Sequence, residues 1–487
     1  MIIPAAAALI CLLTRQRRVY EYATVAGAAA MVFIALSIAA GVLRGLVIKS
    51  PGGMIYVDAL SAFMLVIIAL LSFVAAVYSV EYMGNELTAG HLDKKAHRYY
   101  YLLYNLFIFT MVLIPMANNL AILWMAIEGT TLVSALLVGT YRRRESVEAA
   151  WKYIILCTVG ITFALLGTFI VYYASSGALG EGKGVLEWTA LTSMASRLNP
   201  ATIKLGFILI IVGYGTKAGL APVHNWLPDA HSEAPTPISA LLSGILLNCA
   251  FYGVMRFAVI ARASCGPAFV RDMMFLFGIS SVVVASVFML IQGNVKRLLA
   301  YSSIEHMGII ALSFGVGGPF GLYASLLHIL NHAIGKPLMF FVTGRIKGLY
   351  NSVESEGISG ILKAMPLMGV IGFIGVMALA GAPPFSMFVS EFLMLRALAA
   401  GGYWYVMGVF LATGGLVFYG LLKNFGGMFL GAPSMPLPVG AAVYKSKTSF
   451  ITGTVMFGMA MALVVMGIYI PGPLDRLITL SAGIIGG

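Results

Sequence analysis

The sequence predicts an all-α polytopic membrane protein of about fourteen transmembrane helices. Three observations predict it. Hydrophobic residues make up 60% of the 487-residue chain and charged residues only 10%. A soluble domain carries roughly 25% charged residues, so this chain has too few to cover a surface facing water. The apolar residues also fall into runs of about twenty, the length of a helix that crosses a bilayer. They do not form the alternating segments of about ten residues that build a β-barrel. Finally, the cationic residues collect in short loops between the runs. The same composition excludes a disordered chain and a disulfide scaffold.

The elements follow in order. Met1 to Leu13 is apolar and precedes Arg15, Arg17 and Arg18. With no basic stretch before it and no cleavage site, it reads as a short first span, not a leader. Further spans follow near 21–43, 58–80, 98–117, 119–141, 149–174, 203–226, 236–261, 272–292, 297–316, 320–344, 365–395, 402–430 and 449–470.

Loop charge orients this series. The net charge is +12, and that surplus does not mark a nucleic-acid partner; its surroundings are a lipid bilayer. The odd-numbered loops carry Lys and Arg over the even loops by about two to one, which puts them in the cytoplasm and both termini outside a cytoplasmic (inner) membrane. Arg142, Arg143, Arg144, Lys296, Arg297, Lys445 and Lys447 belong to the odd set; Lys183, Arg197 and Arg271 belong to the even set. The loop around 175–202 is the longest and is expected to cover the outer face.

No linker interrupts the chain, so residues 1–487 read as one integral membrane domain. Two segments echo each other inside it. Residues 218–229 read AGLAPVHNWLPD in the seventh span, and residues 380–391 read AGAPPFSMFVSE in the twelfth. Both place Ala-Gly just before proline in mid-membrane. Five helices separate equivalent points, so the two copies face opposite ways. The expectation is a pair of inverted five-helix repeats, about 98–261 and 272–430, with helices 7 and 12 broken.

Ionisable groups in mid-bilayer cost about 2.5–3.5 kcal/mol each and are functional candidates by default. Glu128 lies too far from either end of the fifth span to reach the surface. Lys217 lies one turn before Pro222, which opens the helix by removing an N–H and crowding a carbonyl. Lysine exchanges its proton readily when buried beside a carboxylate. His328, His332 and Lys336 recur every four residues and so share one face of the eleventh span. Pro337 predicts a local break at Lys336. Glu391 follows the Pro383–Pro384 pair, either on the path of a moving charge or anchoring a helix end.

Other chemistry is missing. Cys11, Cys157, Cys249 and Cys265 are too far apart for a cluster, so no redox centre, cofactor or metal is expected. No phosphate-binding loop or nucleophile elbow is present. His224, Asp229 and His231 surround Trp226 and Pro228 in the opened seventh span. They read as a cytoplasmic proton entrance, because a closed set of metal ligands is lacking.

Three stretches then carry a family resemblance. Residues 217–244 read KAGLAPVHNWLPDAHSEAPTPISALLSG, residues 296–310 read KRLLAYSSIEHMGII, and residues 328–340 read HILNHAIGKPLMF. Together they resemble the antiporter-like subunits of respiratory complex I, of Mrp sodium/proton antiporters and of group 4 membrane-bound [NiFe]-hydrogenases. The likeness covers about residues 55 to 430. Residues 241–257, LLSGILLNCAFYGVMRF, are most similar to the hydrogenase-4 and formate hydrogenlyase branch. The sequence runs only a little past its fourteenth expected span, so the long lateral helix of the largest complex I subunit of this type is not expected.

The resemblance implies fourteen helices in two inverted repeats and proton transfer along a polar axis at mid-membrane. It implies that Glu128 pairs with Lys217, that His328, His332 and Lys336 relay the proton, and that Glu391 ends the route. His306, within the second motif, supports the relay. Many complex I members carry a lysine on the eighth helix where this chain has Asn248. An amide holds no charge but orients water. Asn248 and Tyr252 are therefore expected to bridge Lys217 and His328 through water. The implied partners are other membrane subunits and a peripheral iron–sulfur/[NiFe] redox module that supplies the driving force. Two other readings stay open: an autonomous Mrp-type Na+/H+ antiporter, and a scaffold that moves no ions.

Overall fold

The computed structural model describes residues 1–179, 184–432 and 449–486. Lys183, Lys445 and Lys447, which enter the loop comparison, lie outside the described residues. Helices dominate, as they must where backbone N–H and C=O groups have no water to bond. The helices α1 (Ile2–Leu13), α2 (Arg17–Leu43), α3 (Ala59–Thr88), α4 (Lys94–Met116), α5 (Leu120–Val138) and α6 (Arg144–Leu179) come first. A short α7 (Trp188–Met194) precedes α8 (Pro200–Ala218), α9 (Leu227–Glu233), α10 (Thr236–Leu241) and α11 (Leu247–Cys265). Then come α12 (Pro267–Ile291), α13 (Val295–Val316), α14 (Gly318–Tyr350), α15 (Ile361–Ala364), α16 (Pro366–Leu379), α17 (Ser386–Ala400) and α18 (Trp404–Leu430). The described chain closes with α19 (Phe450–Ile468) and α20 (Gly472–Gly486).

Each of the fourteen expected spans has its helix, with α8–α9 as the seventh, α10–α11 as the eighth and α16–α17 as the twelfth. Among the described residues, 11 helices are long and apolar enough by themselves to cross a membrane. α14 is not in that set, because His328, Asn331, His332 and Lys336 dilute its apolar run. Helix starts follow capping chemistry. Asp58, Asp93, Asn119, Asn199 and Asn294 each accept a hydrogen bond from the first turn of the helix that follows. Bulky apolar side chains such as Phe33, Tyr173 and Phe392 remain on the outside, as expected of a surface solvated by lipid.

The loop around 175–202 does cap one end of the bundle: Leu120 N–H donates to Leu186 O at 2.9 Å, and Trp188 N–H donates to Asn118 O at 2.7 Å. α20 was not expected. Its apolar side, with Leu477, Ile478 and Ile485 buried, packs on α3 and α14.

Two helix pairs approach closely because glycines face each other. A Cβ at Gly213 of α8 would sit 2.5 Å from Ala164 N and 2.6 Å from Gly160 O of α6. A Cβ at Gly278 of α12 would meet Gly308 O of α13 at 3.1 Å. Without a hydrophobic drive between helices in lipid, such close contact supplies much of the association.

Both expected breaks are present. α8 ends at Gly219, whose φ of 75° favours a residue without Cβ, and α9 starts after an opened stretch around Pro222. α16 stops before Gly381, at φ 66°, and α17 resumes at Ser386. The break expected at Lys336 is absent: α14 runs unbroken through Pro337. The irregularity lies in the neighbouring helix instead. Residues 242–246 form a π-helical turn between α10 and α11, and Gly244 within it presses on Pro337; a Cβ there would be 2.6 Å from the proline Cγ. α14 tolerates its proline because packed neighbours absorb the misfit.

Candidate functional site

Among the described residues, two hydrogen-bonded clusters of polar groups in the bundle interior flank the π-helical turn. The first cluster joins α5, α6 and α8. Lys217 occupies the last turn of α8, where backbone carbonyls favour a cation. It is completely buried. Its Nζ donates to Thr131 Oγ1 at 2.9 Å and makes a short contact with Tyr153 Oη. Thr131 in turn donates to Glu128 Oε2 at 3.1 Å, and Thr158 donates to Glu128 Oε1 at 3.3 Å. Tyr153 also bonds Ser134 Oγ at 2.7 Å. The expected direct ion pair is therefore replaced by a bridge: Thr131 stands between ammonium and carboxylate. Glu128 is partly exposed on a helix face that also shows Met125, Leu132 and Leu136.

The second cluster joins α13, α14 and α17. His306 Nδ1 and His328 Nε2 are 2.9 Å apart, and His328 Nδ1 is 2.9 Å from Ser390 Oγ. Ser390 donates its own proton to Met387 O at 2.8 Å and accepts from Asn331 Nδ2 at 3.2 Å. It can therefore only accept from His328, which fixes the His328 proton on Nδ1 and the lone pair on Nε2. His332 packs with its ring centroid 5.5 Å from that of His306, and neither of its ring nitrogens has a protein partner. Glu305, buried on α13, brings Oε2 to 3.6 Å from His306 Nε2. Ligand atoms of His306, His328 and Glu391 lie within 4.8 Å of one another. Lys336 reaches out of this group to Leu299 O at 3.2 Å.

The gap between the clusters is lined by α10–α11. Leu247 lies 3.7 Å from the Cβ position of Gly219, next to Lys217, and Gly244 lies against Pro337, next to Lys336. Asn248 sits one turn beyond Gly244, fully buried, donating to Gly244 O at 2.8 Å and leaving its Oδ1 without a protein partner. His231 is also fully buried. Its Nδ1 is 2.9 Å from Leu227 O, its Nε2 is unpartnered, and its ring lies between Trp226 and Phe340.

Three expectations need correction. His231 is not at an entrance: contact with Phe340 of α14 puts it in the interior, between the clusters. Asp229 is not a lone carboxylate: it pairs with Arg297 of α13 and with Lys152 of α6 at 3.4 Å, clamping α9 in place. Of the three entrance residues, His224 keeps an unpartnered Nδ1 at 7% exposure. Tyr252 is not beside the axis. It accepts from Arg256 Nε at 2.8 Å and donates to Pro115 O.

Tyr252 belongs to a separate buried group. Arg256 grips Asp58 with two bonds of 2.7 Å and Ser61 with one of 2.9 Å. The guanidinium carbon lies 4.3 Å from the Trp188 ring centroid. The pair ties α11 to the start of α3. Sequence reasoning assigned no role to Thr131, Tyr153, Glu305, Asp58 or Arg256. Glu305 and Arg256 had a visible signal, a charge inside a predicted span. Thr131 and Tyr153 had none, since hydroxyls are common in membrane helices.

Known proteins resemble this chain in sequence and in fold. The transmembrane family described as NADH:quinone oxidoreductase/Mrp antiporter matches residues 117–417. The complex I chain 5 N-terminal family matches residues 54–100. A hydrogenase-4 component F homolog of Methylacidiphilum infernorum is 41% identical over 350 residues, covering 72% of this chain and 74% of that protein. Hydrogenase-4 component B of Escherichia coli is 30% identical over 400 residues, which cover 77% of this chain and 57% of that longer protein. A chain of the membrane-bound sulfane sulfur reductase, an archaeal respiratory membrane complex, superposes with a TM-score of 0.85 at 26% identity, covering 100% of this chain and 96% of that one. The hydrogenase-4 relatives agree with the branch expected from residues 241–257. An extended match along the middle of the chain and a shared fold over its whole length make this polypeptide a member of the NADH:quinone oxidoreductase/Mrp antiporter transmembrane family.

Proposed function

We propose that the chain is a proton-translocating, antiporter-like subunit of a redox-driven complex of the hydrogenase-4 type in a cytoplasmic membrane. One observation carries this reading. Two clusters of hydrogen-bonded ionisable side chains, Glu128–Thr131–Lys217 and His306–His328–Ser390, lie within the helix bundle on either side of the π-helical turn. Burying such groups is costly, and a scaffold gains nothing from them. The two broken helices, α8–α9 and α16–α17, fit a pair of inverted repeats, with opened backbone beside each cluster.

The proton is taken up near His224 and reaches Lys217. Ammonium and carboxylate are separated by two hydrogen bonds, at most about 6 Å. At an effective dielectric of about 20 their attraction is roughly 3 kcal/mol. Displacing the Glu128 carboxylate removes that attraction and releases the proton. Glu128 is the partly exposed member, so a neighbouring membrane subunit is what displaces it. The proton then passes His231 and water held by Asn248, enters the histidine cluster and leaves past Glu391. A peripheral iron–sulfur/[NiFe] module drives the cycle, because the four cysteines of this chain are too scattered to form a cluster for electron transfer.

The test is proton uptake by vesicles that contain the native complex. Lys217→Ala should abolish uptake coupled to electron transfer while the redox reaction continues. Unchanged coupled uptake would sink the proposal. Sodium-dependent uptake in the absence of any redox partner would favour an autonomous antiporter.

A further inference from the structure

The second cluster has a feature that proton transfer does not require: its donor atoms converge on a point. We propose that His306, His328 and Glu391 form a binding site for a divalent cation of the zinc class, with Glu305 orienting His306 behind it.

The ligand chemistry selects the cation. Two imidazoles and one carboxylate suit zinc, copper, nickel or iron, whereas sodium, magnesium and calcium prefer all-oxygen sets. The ligand atoms already lie within 4.8 Å of one another. Two nitrogens bound to one tetrahedral zinc at about 2.0–2.1 Å stand about 3.3 Å apart. His306 Nδ1 and His328 Nε2 are 2.9 Å apart, so a few tenths of an ångström of movement brings the two imidazoles to that spacing, and the Glu391 carboxylate closes in from within 4.8 Å.

The protons are arranged for it. Ser390 holds the His328 proton on Nδ1, so the Nε2 lone pair points toward His306. On binding, the His306 hydrogen moves from Nδ1 to Nε2, which faces Glu305 Oε2 3.6 Å away. A shift of a few tenths of an ångström would bring the two atoms to hydrogen-bond distance and complete the carboxylate–histidine–metal arrangement that sets the tautomer of a ligating histidine. Both nitrogens of buried His332, His306 Nε2 and Glu305 Oε2 have no protein partner. His332 or a water can supply the fourth position. Glu305 and Glu391 bring two carboxyl groups to the pocket, with Lys336 near Glu305. Glu391 is the partly exposed ligand and opens the site on its side.

A cation here would occupy the groups that pass protons under the proposed function, and so would block them. That consequence rests on the proposed function; the binding does not. Binding is tested on the full-length chain in detergent, incubated with zinc and freed of excess by gel filtration. Metal content and zinc-edge X-ray absorption should give one zinc per chain with mixed imidazole and carboxylate ligands. His328→Gln and Glu391→Gln should each weaken binding by about tenfold or more. His91→Ala, which removes the surface pair of His91 with Glu86, should leave it unchanged. Zinc retained in full by both ligand variants, or lost from His91→Ala, would overturn the site. In vesicles of the native complex, zinc should stop proton uptake; uptake unaffected by stoichiometrically bound zinc would overturn the blocking role.

Discussion

Thr131 separates Lys217 from Glu128: its hydroxyl accepts from the ammonium at 2.9 Å and donates to the carboxylate at 3.1 Å. Charge on α8 is thus linked to charge on α5 through one hydroxyl. Under the proposed function a threonine, and not only the two charges, is part of the coupling element.

Thr131→Val keeps the shape and deletes both bonds. Hydrogen bonds to charged groups are worth about 1.5–3 kcal/mol, so redox-coupled proton uptake should fall roughly tenfold to a hundredfold, at 1.36 kcal/mol per decade. Thr131→Ser should restore most of it. Uptake in the valine variant equal to that of the parent would show that the hydroxyl carries nothing.

Asn248 tests the route between the clusters. Asn248→Leu removes the amide that holds an unpaired Oδ1 in the gap while preserving volume. Proton uptake in vesicles should drop by at least about tenfold, and the redox rate without a proton gradient should change far less. Parallel loss of both would point to misassembly of the complex.

Arg256 and Asp58 test stability and not transport. Removing one partner leaves a buried charge uncompensated, at a cost of about 3–5 kcal/mol. Arg256→Met should therefore lower the unfolding temperature in detergent by many degrees. The double variant Arg256→Met with Asp58→Leu should recover part of the loss, because no lone charge remains. Equal stability of the parent and Arg256→Met would remove the pair from the account of the fold.

Gly213→Leu addresses helix contact. Any side chain at 213 collides with the backbone of α6 at Gly160 and Ala164. The two helices must then separate, at a cost of about 1–3 kcal/mol or more. Reduced yield of folded chain from membranes is the expected readout, with Gly213→Ala intermediate. Normal yield of the leucine variant would mean that α6 and α8 are free to part.

All fourteen spans were legible in the sequence, and so were both broken helices, Lys217, and the histidines of α14. These follow from one-dimensional facts. A run of apolar residues in lipid has to form a helix, since nothing else satisfies its backbone. Gly-x-x-Pro stops one, and a charge inside such a run is conspicuous. The family resemblance also implied that Glu128 pairs with Lys217 and that Glu391 follows His328, His332 and Lys336 at the end of the route.

Contacts between helices were decided only by the tertiary structure. Side-chain neighbours depend on how each helix is rotated and tilted against the next, and an apolar run is silent on both. That is why Tyr252 turned toward Arg256 and away from the axis, and why His231 moved from a surface entrance to the interior. It is why Glu305 joined the histidines. Pro337 was expected to break its own helix; packing against Gly244 instead left α14 whole and placed the π-helical turn in its neighbour. The sequence determined which groups enter the membrane and at what depth. The fold determined which of them share a proton, because that depends on ångström distances between helices that are far apart along the chain.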